Sequence, residues 1–140
     1  MKKKKEFSLM WVCEPFADDP SYFSKRMFGG LAIYVFDKMQ MVFMESPGDF
    51  EWKGEVFDFE IWNGLMVCTS REFHESLKQD FSYLVNHPVL GKWLYLPMTD
   101  ESFESTAEGV AEAIVRGDER IGIIPGQKKR PKKKTSKKAK

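Results

Sequence analysis

An α+β fold, with an antiparallel sheet of about five strands and two main helices packed on it, is the class this chain predicts, on three patterns. Residues 31–36 and 39–44 are apolar runs on either side of Asp37-Lys38, entered through Gly29-Gly30, as a tight β-hairpin requires. Residues 55–62 alternate apolar and polar before Asn63-Gly64, a strong turn signal, and 65–68 then reads as the returning strand. Two later segments carry apolar residues at helical spacing behind helix-start residues.

In chain order, 7–13 is apolar but too short to assign to helix or strand, and Pro15 and Pro20 break up the stretch after it. A single helical turn is expected at 20–23 before the Arg26-Met27-Phe28-Gly29-Gly30 bend. In the first strand Leu31, Ile33 and Val35 face one way, and Ala32, Tyr34 and Phe36 the other. Both sets are apolar, so the strand is expected to be covered on both sides or to meet a partner. The second strand is read as Met39, Met41 and Phe43 against Gln40, Val42 and Met44. Its methionines, with Met27, suit either an adaptable groove or core filling.

Residues 46–54 form a loop that carries Phe50 and Trp52, either folded over the sheet or exposed for contact. Thr69-Ser70-Arg71-Glu72 matches a capping box ahead of a helix over 70–86, whose buried stripe is Phe73, Leu77, Phe81, Leu84 and Val85. A short strand is expected at 91–97. A second helix capped at Thr99-Asp100-Glu101 then runs to Arg116, burying Phe103, Ala107, Val110, Ala111 and Ile114, with Gly117 as its stop. Glu104, Glu108 and Glu112 line its other side, and 120–124 is a last extended piece.

With 140 residues, 42% hydrophobic, twelve Phe, four Trp and four Tyr, the chain can bury a core without disulfide or metal support. Its two cysteines, Cys13 and Cys68, form no C-x-x-C motif and no signal peptide is apparent, which implies a reduced, cytoplasmic protein. Apolar runs fall far short of the ~18 residues that cross a bilayer, so no membrane association is expected.

The net charge of +1 conceals a partition. Residues 6–127 hold nine basic residues against all 21 acidic ones, while Lys2 to Lys5 and nine residues of 128–140 are basic. The expected organisation is a disordered basic segment at 1–6, a folded domain at 7–126 and a disordered basic tail at 127–140. The tail, with Lys128, Lys129, Arg130, Lys132, Lys133 and Lys134, can bind a polyanion, fold back on the acidic body, or only solubilise it.

No reaction is named by the residues. His74 is placed on the solvent side of the first helix without a second histidine at metal-pair spacing, and His87 is placed at the helix end as a cap. Cys13 or Cys68 with His87 could form a nucleophile and base only if the fold joined them. Calcium-loop and phosphate-loop patterns are missing, and no cofactor is implied. Residues 117–122 read as a turn in which Arg120 forks onto a carboxylate.

The run Arg26-Met27-Phe28-Gly29-Gly30, followed by Ile33-Tyr34, a turn and the methionine-rich strand with Met39 and Phe43, resembles the N-terminal domain of the TfoX/Sxy family, bacterial proteins tied to regulation of competence. The match spans about residues 24–45. The resemblance implies an α+β domain with a regulatory or interaction role and no catalytic residues. A protein partner, non-specific nucleic acid held by the basic ends, and a homodimer through an aromatic and methionine face are the expected contacts. The alternative expectation is a small-ligand binder or enzyme with a cleft near Arg26, Tyr34 and Trp93.

Overall fold

The chain forms, in order, a 3-10 helix (Ser8–Phe16), strands β1 (Phe23–Met27), β2 (Gly30–Val35), β3 (Lys38–Glu45), β4 (Glu51–Trp52), β5 (Glu55–Val56) and β6 (Asn63–Val67), a 3-10 turn (Arg71–Phe73) leading into helix α1 (His74–Asp80), β7 (Val85–Asn86), β8 (Leu94–Pro97) and helix α2 (Phe103–Val115). This computed structural model describes residues 8–27, 29–99 and 101–124. Phe28 of the five-residue motif, Asp100 of the expected cap, and both basic ends, including Lys128, Lys129, Arg130, Lys132, Lys133 and Lys134, lie outside the described residues. The class is α+β, with one strand more in the main sheet than the sequence suggests. Six antiparallel strands run in the order β1-β2-β3-β6-β8-β7, and β4 and β5 make a separate ribbon.

Both faces of the sheet are buried, by different means. On one, Leu31, Ile33, Met41, Phe43, Leu65, Val67, Leu94 and Leu96 pack against Leu9, Val12 and Phe16 of the first 3-10 helix and Phe103, Ala107, Val110 and Ile114 of α2. The expected stripe of α2 is buried in full, and Gly117 takes φ +79 just beyond it, the left-handed stop that glycine adopts without strain. Glu45 on β3 accepts the Ser8 and Leu9 N–H groups at 3.0 and 2.9 Å, supplying the start of the 3-10 helix with acceptors. On the other face, Ala32, Val42, Met44, Met66, Cys68 and Tyr95 are covered by Phe59, Trp62, Leu90 and Trp93 from irregular segments.

Several expectations need correction. The link between β2 and β3 is Phe36-Asp37, not Asp37-Lys38: both residues have positive φ, 57 and 66, which a two-residue hairpin link demands. The Phe36 N–H donates to Ser21 Oγ at 2.6 Å, so the preceding turn braces that conformation. Next to the turn expected at 20–23, where the Tyr22 N–H reaches Asp19 O at 3.0 Å, residues 23–27 form a strand that the sequence reading did not anticipate, with Met27 pairing with Gly30. On β3 the pairing shifts: Ile33 meets Met41 and Tyr34 meets Met39, leaving Gln40 as an extra, bulged residue. Met39 therefore joins Val42 and Met44 on the second face, opposite to Met41 and Phe43. All three methionines of β3 are buried, so they fill the core and line no open groove.

Asn63-Gly64 makes no hairpin. Both lie within β6, where Gly64 pairs with Met44 on β3 and with Pro97 on β8, and 57–62 is irregular. Glycine is required at 64 by contact: a Cβ there would lie 2.3 Å from Leu96 O and 3.0 Å from Pro97 Cα, both backbone atoms. The helix expected over 70–86 ends at Asp80, and Val85 and Asn86 pair with β8. Its capping box does not form: Ser70 is the cap residue of the 3-10 turn, with no side-chain bond, and the Thr69 hydroxyl donates to Arg120 O at 2.6 Å. The cap of α2 is Ser102.

A methyl group at position 64 has no rigid-backbone solution, so Gly64→Ala is expected to lower unfolding stability by about 2–3 kcal/mol. Gly91→Ala, where a Cβ meets nothing nearer than 3.5 Å, is expected to change it by less than about 0.5 kcal/mol. Urea denaturation of the two variants checks both values.

Candidate functional site

The side chains singled out for chemistry are each engaged in structure. His87 is buried against Trp62 and Tyr95, with ring centroids 4.7 and 4.8 Å away. Its Nδ1 accepts the Val89 and Leu90 N–H groups, both at 3.1 Å, so Nε2 carries the proton and donates to Ile61 O. The ring is thus held neutral, and burial depresses its pKa. Position 87 follows β7 and caps no helix, contrary to expectation. Beside it the Tyr95 hydroxyl donates to Glu60 O and accepts the Asn63 N–H at 2.9 Å. Burial pushes the phenol pKa far up, so it remains a donor at any physiological pH.

Cys13 is buried in the helical layer, and burial pushes its thiol up to about 11. His87 stands across the sheet from it, which separates that candidate pair. Cys68 is fully buried beneath the second face, and burial raises its thiol well beyond the usual range. His74 is tied in place as the first residue of α1: its Nδ1 accepts from Asn86 Nδ2 at 2.9 Å and its Nε2 donates to Lys92 O at 2.8 Å. The expected turn at Arg120 is present and wider than foreseen. Arg120 grips Asp118 through Nε and Nη2 at 2.9 and 2.6 Å, reaches Asp80 at 2.9 Å, and donates to Ser76 Oγ at 2.7 Å. That guanidinium holds Asp118 below the usual carboxylate range and fastens the segment after α2 to α1.

Arg26, Met27, Gly29 and Gly30 of the five-residue motif occupy the end of β1 and the link into β2. Gly30 is required by packing, since a Cβ there would lie 2.5 Å from Phe43 O. Arg26 on β1 and Trp93 before β8 are separated by β2, β3 and β6, and Tyr34 stacks on Phe23 at 4.5 Å. These residues do not form one cleft. Phe50, Trp52 and Val56 of the β4–β5 ribbon are exposed, at 43%, 38% and 72%. Lys53 and Gly54 at its tip take positive φ of 50 and 85.

Two clefts of opposite charge character flank the sheet. Between the 3-10 helix and α2, a cleft of about 490 Å³ is lined by Trp11 with Glu14, Glu108 and Glu112. The second, of about 680 Å³, opens where β3 begins, β6 ends and β8 begins, an end that the antiparallel order makes common to all three strands. Lys38, Arg71 and Lys92 line it with Glu72, Trp93 and Ile123. These three cations come from separate parts of the chain, and sequence reading attaches no binding role to them. The bulge at Gln40 lets Met39 exchange hydrogen bonds with Ile123 at 2.8 and 3.0 Å, and Gly122 N–H reaches Cys68 O at 2.7 Å. The segment after α2 is thereby sewn to the sheet beside this cleft.

Among the described residues no helix is long and apolar enough to cross a membrane, and no group of three or more His, Cys, Asp or Glu is placed to hold a metal ion. Comparison with protein-family models, with curated proteins and with solved structures gives no match.

His87 binds its proton less well folded than unfolded, so its contribution to stability is complete above the unfolded pKa of about 6.5 and declines as pH falls below it. Asp118 contributes above about 4 and loses that contribution as pH falls further. Urea denaturation across pH 5 to 7.5 is expected to show stability rising with pH. His87→Gln is expected to be weaker throughout and to flatten that rise.

Proposed function

We propose that this chain is a non-catalytic regulatory module, of the kind represented by the TfoX N-terminal domain, that works in the cytoplasm through contact with macromolecules. Its protein contacts are made by the exposed β4–β5 ribbon, and its basic ends bind nucleic acid weakly and in a salt-dependent way. The observation that carries the reading is the use made of the reactive side chains. Cys13, Cys68, His74, His87 and Arg120 are each committed to burial or to a structural bond, while aromatic and cationic groups stand outward. Aromatic side chains at the surface offer large contact area at low entropic cost. The partition of charge, an acidic body with lysine-rich ends, supports the nucleic-acid half.

Electrophoretic shift of DNA and of RNA at two salt concentrations, with the intact chain and with a chain ending before Lys128, tests that half. Binding by the intact chain should weaken steeply with salt and should fall markedly on truncation. Unchanged binding by the truncated chain would remove the tail from the reading.

A further inference from the structure

From the cleft at the end of the sheet we infer that the folded body itself carries a phosphate-backbone site for nucleic acid, distinct from the basic tail. The inference rests on the nucleic-acid half of the function proposed above. Residues 6–127 contain only nine basic side chains among 21 acidic ones, yet Lys38, Arg71 and Lys92 converge on this one cleft. None of the three has an ion-pair partner among the described residues, although Glu72 shares the rim. In a body so rich in carboxylates, unpaired cations gathered from three segments make a local field opposite in sign to the whole.

The cations are mounted on fixed backbone. His74 Nε2 bonds Lys92 O at 2.8 Å and Asn86 Nδ2 bonds Gly91 O at 3.1 Å, which fastens the loop that presents Lys92. The Lys92 ammonium sits 5.8 Å from the Trp93 ring centroid. At Lys38 the fit depends on Gly122, because a Cβ there would stand 2.8 Å from Lys38 Cδ and 2.7 Å from Gln40 Oε1. Arg71 supplies the planar fork that grips two oxygens of one phosphate, while the lysines act as point charges on its neighbours. Such contacts carry no base information, so binding is indifferent to sequence.

Continuity with the tail favours a strand over a small anion. Ile123 and Ile124 line the same cleft, and the chain runs on from there into nine basic residues between Lys128 and Lys140. A nucleic-acid strand lying in the cleft passes beside Ile124, which precedes those charges closely in the sequence, whereas a lone phosphate uses only the three cations in the wall.

The test is fluorescence anisotropy of a labelled, mixed-sequence single-stranded DNA against the full chain over a salt series. Four proteins are compared: intact, Lys38→Gln/Arg71→Gln/Lys92→Gln, the charge-matched control Lys25→Gln/Lys53→Gln/Arg116→Gln, and the tail truncation. The cleft variant should bind about 10- to 100-fold more weakly than the intact chain, with the log–log salt slope reduced by about two to three. The control should stay within about threefold. If the cleft variant binds as the intact chain does while truncation abolishes binding, the cleft inference fails and the tail reading stands. An equal loss in the control reduces the effect to net charge and also overturns the cleft. No binding by the intact chain overturns both. Thermal unfolding verifies that each variant is folded, and Arg71→Gln/Lys92→Gln, both exposed, serves if the change at Lys38 is not tolerated.

Discussion

A sheet that is apolar on both faces has to be covered twice, and among the described residues helices lie on only one side. The other is closed by irregular backbone, chiefly residues 57–62 and 87–93, which cannot satisfy its own amides and carbonyls as a helix does. Tyr95 and His87 solve that problem. One hydroxyl serves Glu60 O and the Asn63 N–H, and one imidazole serves Ile61 O and the Val89 and Leu90 N–H groups. Five backbone groups from two loops are thereby satisfied by two side chains that also supply aromatic surface to the core. The glycine at 64 serves the same face, since a Cβ there would also stand 3.0 Å from the Tyr95 ring.

The same economy shapes what is left for function. The two histidines, the two cysteines and the three methionines of β3, residue types that often carry chemistry, are drawn into the core or into loop anchoring. Outward-facing character falls instead to the ribbon with Phe50, Trp52 and Val56, to a glutamate-lined cleft on the helical face, and to the cationic cleft at the end of the sheet. Charge opposition, a glutamate-lined cleft against a cationic one, is the asymmetry that the described residues present. The Arg120 clamp matters here as well: it fixes the segment after α2 to α1, just ahead of the residues that line the cationic cleft.

Helix α2, the β2–β3 pair and the two-sided burial of β2 are legible in the sequence because each is encoded locally by period and punctuation. What misleads is local information overruled by distant contacts. Asn63-Gly64 has the composition of a turn, but Leu96 O and Pro97 Cα approach so closely at Gly64 that glycine is needed inside a strand. Leu84 and Val85 continue the helical period past Asp80, yet an open edge on β8 captures Val85 and Asn86 as a strand. Simple alternation puts Met39 on the wrong face of β3 because one bulged residue, Gln40, reverses it, and bulges leave no mark in an apolar run. The cationic cleft is invisible for a different reason: Lys38, Arg71 and Lys92 lie far apart in the chain, and only the strand order brings them together.

The claim that two buried side chains hold a loop layer over an otherwise bare sheet face is tested most directly by native-state hydrogen exchange on Tyr95→Phe. That variant keeps the ring and removes only the hydroxyl. The account predicts selective loss of protection at the Ile61, Asn63 and Ser46 amides, whose bonds depend on the position of 60–63, with the β2–β3 ladder amides protected as before. Equal loss throughout the sheet, or unaltered protection at those three amides, would contradict it.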